Sequence, residues 1–253
     1  MCTVTYLPLG KEGFIFTSNR DETPKRNTIE PKEYIEDNVA LVYPKDELAG
    51  GTWIGLSDYN RLVCLLNGGY EIHEREVSYR MSRGVIVKQL LKTENAVDFV
   101  EKVDLQGIEP FTVVMLDWAE NLKAYELVWT GYQKDFRQLK DEPHIWSSST
   151  LYTSEMKNLR KQWFSDWLNK NEDFTQSDIL KFHLDESNGE EVSLKMKRPY
   201  VETVSVTSVK KHKDSLELQY YDLLNDQTTM LAFQNKANEI KPTSVIPIIA
   251  KNI

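Results

Sequence analysis

The chain has 253 residues, 40% of them hydrophobic and 28% charged, a composition that can bury a substantial core and excludes a disordered polypeptide. Its net charge of −8 argues against general nucleic-acid binding, which draws its affinity from lysine and arginine. Two cysteines, Cys2 and Cys64, give neither a disulfide framework nor a metal-binding spacing, and His73, His144, His183 and His212 form no zinc-ligand pattern. No metal and no cofactor is expected, and each histidine reads as a surface or boundary side chain.

Residues 3–7 (TVTYL) and 14–18 (FIFTS) are β-branched and aromatic, and PLGKEG between them carries a proline and two glycines, so the pair reads as an antiparallel hairpin. A turn centred near Gly10 would set Cys2 close to Ser18 and bring Asn19, Arg20, Asp21 and Glu22 beside the N-terminus. A second hairpin is predicted from GGTWIGLS and RLVCLLN around Asp58-Tyr59-Asn60, with Asn67 opposite Gly51. Cys64, inside LVCLL, reads as a buried small hydrophobe. Helices are predicted over 74–92, with Met81, Val85 and Leu90 inward, and over about 95–103.

Strands follow at FTVVMLD, KAYELVW and HIWSS. A helix over 154–170 places Met156, Leu159, Trp163, Phe164, Trp167 and Leu168 on one stripe, a core face, and Ser177 is the predicted cap of a short helix through Leu184. The chain closes with strands at VETVSVTSV, SLELQYY and TTMLAF, the basic cluster Lys210, Lys211, His212 and Lys213 forming a solvated hairpin tip. No apolar run approaches the roughly 18 residues of a membrane helix, and Lys11 and Glu12 interrupt the first apolar stretch, so a cytoplasmic protein without a membrane span is predicted.

Strands and helix pairs in this order do not make the regular alternation of a doubly wound protein. The prediction is an α+β fold: a four-layer αββα sandwich of two antiparallel sheets flanked by helices, as a single domain over 1–253.

Chemistry concentrates at the start. If Met1 is removed, Cys2 carries a thiol and a free α-amine, a base that titrates near about 8 and can take the thiol proton directly or through water. Otherwise a cysteine at position 2 is an accident of translation. Asp21 can orient such an amine and Arg20 can lower a thiol pKa or bind a carboxylate, or both belong to a salt-bridged turn. Gly50 and Gly51 admit a ligand, or a neighbouring strand, close to the backbone. Asn67 either donates to a developing oxyanion or forms an ordinary Asn-Gly turn.

Met1-Cys2, FTS before NRDE at 19–22, and GGTWIGLS with RLVCLLNGG at 51–69 together resemble the NRDE family, the family of transport and Golgi organisation protein 2. WSSSTLYTSEMKNLRKQWF at 146–164 and TVSVTSV at 203–209 resemble its later segments. The resemblance implies an N-terminal-nucleophile hydrolase fold and kinship with choloylglycine hydrolases and penicillin V acylases. Their nucleophile, aspartate and oxyanion asparagine match Cys2, Asp21 and Asn67, and Asn19, Arg20, Gly51 and Trp53 become the substrate-binding candidates. Those amidases carry an arginine where this chain has Ser18, a second asparagine where it has Ser147 to Thr150, and a C-terminal arginine that VETVSV lacks.

Two functions follow. One is a cysteine amidohydrolase or acyltransferase acting on a small non-peptide acyl substrate. The other, implied by the family's links to haem movement and acyl-CoA homeostasis, is a non-catalytic binding or trafficking protein for haem or an acyl-CoA-like lipid metabolite.

Overall fold

The computed structural model describes residues 3–11, 13–171, 174–236 and 239–247, of which 234–236 and 239–247 are described by backbone alone. Cys2 lies outside the described residues. The chain gathers into two compact units, one comprising 1–26, 142–147 and 152–253, the other 27–141 and 148–151.

The first unit is built on a seven-stranded antiparallel sheet: β1 (Thr3–Pro8), β2 (Gly13–Glu22), β10 (His144–Ser147), β11 (Glu202–His212), β12 (Ser215–Asp222), β13 (Gln227–Lys236) and β14 (Glu239–Pro247), in the order β10-β1-β2-β11-β12-β13-β14. Helices α3 (Ser154–Lys170) and α4 (Gln176–His183) cover one face, where Leu7 and Ile15 pack with Phe164, Ile179, Phe182 and Leu194. The other face, carrying Val4, Tyr6, Phe14 and Phe16, is also buried. α3 keeps its predicted bounds, although Leu159 is exposed and Arg160 takes a core position. α4 is capped by Thr175 instead of Ser177, because the Thr175 hydroxyl accepts from the Asp178 amide.

The second unit is a seven-stranded antiparallel meander of β3 (Thr28–Glu36), β4 (Val39–Asp46), β5 (Ile54–Ser57), β6 (Arg61–Asn67), β7 (Phe111–Asp117), β8 (Lys123–Trp129) and β9 (Lys134–Gln138), ordered in sequence. α1 (Arg83–Lys92) and α2 (Ala96–Lys102) pack on its face of Val63, Leu65, Phe111, Val113 and Met115. α1 begins nine residues later than predicted, at the Ser82 cap, so 74–82 is not helical. Leu90 is buried and Met81 packs on the core as expected, but Val85 is turned outward. Cys64 is fully buried.

The first hairpin corrects a register. Val4, not Cys2, pairs with Ser18, and Thr3 pairs with Asn19. A Leu9–Lys11 bridge and a bond from the Leu9 amide to the Gly13 carbonyl (2.9 Å) move the turn one residue past Gly10, which shifts every partner by two. In the second hairpin Ile54 pairs with Cys64 and the Leu65 amide donates to the Trp53 carbonyl at 2.7 Å, which is the predicted register, although β5 begins at Ile54 and the ladder does not extend to Gly51. On its other edge Asn67 pairs with Phe111 of β7. Lys210 to Lys213 do form a hairpin tip, between β11 and β12.

Candidate active site

β2 carries its polar residues at its C-terminal end. Side chains alternate along a strand, so Asn19 and Asp21 share the helix-covered face with Ile15, and Arg20 points to the opposite one. Asp21 is buried. Its Oδ2 accepts from the Tyr152 hydroxyl and its Oδ1 from the Thr203 hydroxyl, each at 2.6 Å. Thr203 is the strand partner of Asp21 at a β-bulge in β11, which turns a neighbouring hydroxyl onto the carboxylate. Arg160 lies against the Tyr152 ring, its guanidinium carbon 3.5 Å from the centroid, and its Nη1 donates to Thr3 Oγ1 at 2.6 Å. Arg20 is buried and donates to the Arg26 carbonyl at 3.2 Å, and an ion pair in this turn joins Arg26 to Glu22.

Asn19 is fully buried and turned toward α4. Its Nδ2 donates to the carbonyls of His183 (3.1 Å) and Leu194 (2.8 Å), which leaves Oδ1 facing His183 Nδ1 at 2.6 Å. An amide oxygen only accepts, so Nδ1 of His183 carries the proton and Nε2 accepts from the Thr5 hydroxyl at 2.8 Å. Burial first, and the charge of Arg160 second, push the His183 pKa down to about 3, so the ring is neutral at physiological pH. The expectation that His183 is a surface or boundary side chain is thus corrected: it has no exposed surface, and both ring nitrogens are bonded.

In the second unit, Asn67 ends β6 half-buried. Its main-chain carbonyl accepts from Ser148 Oγ at 2.7 Å, and its side-chain amide makes no hydrogen bond among the described residues. Gly68 follows at φ +88°, a left-handed conformation where a Cβ would also lie 3.0 Å from that of Ser149. The Ser149 hydroxyl donates to the Gly69 carbonyl, and the Thr112 hydroxyl to that of Gly68 at 3.0 Å. The serines of WSSST therefore fasten the Asn67-Gly68-Gly69 turn. Gly51 packs its α-carbon against Gly84 at the start of α1, a close approach to a helix instead of a strand. Trp53 is buried.

Tyr152, Arg160, His183 and Thr203 escaped the sequence reading. Only the i, i+3 and i, i+4 spacing of His183 from Leu180 and Ile179 hinted at burial, and nothing local tied any of the four to Asp21 or Asn19. No group of three or more metal-ligating side chains comes together among the described residues, nor is any helix there long and apolar enough to cross a membrane.

Two antiparallel sheets with four helices define the N-terminal-nucleophile hydrolase fold, and solved structures bear this out. A variant of conjugated bile acid hydrolase from Clostridium perfringens superposes with a TM-score of 0.55 at 12% identity, over 99% of each chain. The Caenorhabditis elegans orthologue of N-acylethanolamine-hydrolyzing acid amidase gives 0.57 at 13% identity, over 82% of this chain and 92% of that one. Penicillin V acylase from Agrobacterium tumefaciens gives 0.53 at 10% identity, over 94% and 87%. The chain belongs to the Transport and Golgi organisation 2 family, whose sequence pattern matches residues 1–239. No curated protein matches it significantly in sequence.

Proposed function

We propose that this protein is a cysteine amidohydrolase or acyltransferase that cleaves a small non-peptide acyl compound with Cys2, once Met1 has been removed. The observation that carries this reading is the setting of Asp21. It is a buried carboxylate with a hydroxyl donor on each oxygen, two residues along the strand from Asn19, the partner of Thr3. A carboxylate so fixed suits the task of orienting a neighbouring ammonium.

In the reaction the α-amine takes the Cys2 thiol proton, and the sulfur bonds to the acyl carbon. The oxyanion that forms is held by the Asn67 amide, which has no hydrogen bond among the described residues to give up, and by a backbone N–H. Collapse breaks the C–N bond as the ammonium returns its proton to the leaving amine. Water, or another acceptor, then takes the acyl group from the thioester. Arg20 and Trp53 are the binding candidates for the rest of the substrate.

The test is an intact mass of untagged protein followed by a screen of acyl compounds. Loss of one methionine and a covalent acyl adduct that Cys2→Ser abolishes are expected. Full turnover by Cys2→Ser would overturn Cys2 as the nucleophile, and retained Met1 with no acyl turnover would leave binding of haem or an acyl-CoA-like ligand as the function.

A further inference from the structure

Arg160 sits on α3 with no exposed surface. Its Nη1 donates to Thr3 Oγ1 (2.6 Å), and its Nη2 donates to the carbonyls of Val192 (3.1 Å) and Ser193 (2.6 Å). The Tyr152 ring covers its flat face at 3.5 Å. Among the described residues it forms no ion pair, and its Nε has no hydrogen-bond partner. A buried cation neutralised only by dipoles and a π face is costly to keep, and it stabilises any anion that forms beside it. Its field already reaches His183, whose ring it helps to hold neutral.

The two side-chain groups it touches lead directly to the site. Thr3 is bonded to Cys2, and Tyr152 donates to Asp21. We propose that Arg160 is a positioning residue of the site, which holds Tyr152 on the Asp21 carboxylate and fixes Thr3 at the start of β1. The inference rests on the reading of Cys2 as nucleophile.

It is tested without a substrate, by the rate of Cys2 alkylation with iodoacetamide as a function of pH, read by mass spectrometry on folded and on denatured protein that has lost Met1. Arg160→Met is expected to move the profile up by about one pH unit, a fall of about tenfold near neutrality. Arg160→Lys, which keeps the charge but not the fork, should recover part of that. Thr3→Val and Tyr152→Phe each cut one of its two connections with little change of shape; each should shift the profile the same way, and neither should add to Arg160→Met. They decide the matter if the Arg160 variants do not fold. Wild-type Cys2 more reactive folded than denatured, with all variant profiles superimposed on it, overturns the role of Arg160 alone. Wild-type Cys2 no more reactive folded than denatured overturns the nucleophile reading, and this inference with it.

Discussion

Arg61 and Arg160 are both fully buried, one in each half of the molecule, and the two are used differently. Arg61, in the second unit, pairs through Nε with Asp117 at 2.8 Å, and its Nη atoms donate to the carbonyls of Leu90, Thr93 and Glu94 where α1 ends. It is a paired charge that ties a helix terminus to a sheet. Arg160 has no such counter-ion among the described residues, and it touches Thr3 and Tyr152. The surroundings differ in the same way. Val63, Leu65, Phe111 and Val113 fill the helix-covered face of the second sheet, while Thr3, Thr5, Asn19 and Asp21 occupy much of the first. Burying polar groups costs stability unless each is bonded, so the first unit retains an arrangement that stability alone does not require.

The sharpest break of this comparison is to remove each cation. Arg61→Met strands Asp117 and three helix-end carbonyls and should cost about 3–5 kcal/mol in chemical denaturation, while Cys2 alkylation in the folded fraction stays as in wild type. Arg160→Met should cost less stability and far more reactivity. The same order of losses in both measurements would mean that the two arginines do one job.

Acid should act on the first unit next. The folded pKa of His183, about 3, lies below the ordinary value of 6.5, so the unfolded chain binds the proton more readily between those values. Its contribution is complete above pH 6.5 and is lost as pH falls toward 3, on the order of a few kcal/mol. His183→Gln should be less stable at neutral pH and show a flatter fall in acid; parallel curves would refute the assignment.

Each unit also has a tyrosine bonded to a carboxylate. Tyr152 donates to buried Asp21 at 2.6 Å, and Tyr43 donates at 2.5 Å to Glu36, whose side chain is 21% exposed. Water can replace the second bond more readily than the first. Tyr152→Phe should cost about 1.5–3 kcal/mol and Tyr43→Phe about 0.5–1.5, compared by denaturation midpoints.

What the sequence made legible follows the same division. Strands such as FTVVMLD and KAYELVW were recovered to the residue because their apolar character is local. β3 and β4 were not, since Pro31 and Pro44 interrupt them, although Asp37 and Asn38, both at positive φ, are the turn residues a hairpin needs. The edge strand β9 is charged and β14 contains Pro242, so neither shows a clear alternation. At the site, Asp21 and Asn67 stood out by motif. The groups that hold Asp21 are 131 and 182 residues away, and no short-range pattern connects a threonine in VETVSV or a tyrosine before α3 to that aspartate. Arginine was the residue sought in that stretch; a hydroxyl makes the contact.

Asn67 gives the smallest expected change in stability and the cleanest separation of folding from chemistry. Its carbonyl and the glycines after it are fastened by Ser148, Ser149 and Thr112, and those contacts involve only main-chain atoms of the turn. Asn67→Ala removes an amide with no hydrogen bond among the described residues, so the denaturation midpoint should move by no more than about 0.5 kcal/mol equivalent. If that amide holds the oxyanion, turnover of an accepted acyl substrate should fall by about 10²–10³ in kcat. Cys2 alkylation, which forms no oxyanion, should be unaffected. A variant that keeps its turnover would remove Asn67 from the reaction while leaving Cys2 and Asp21 in it. Lost stability with unchanged turnover would make the turn, and not the amide, the reason for an asparagine before two glycines.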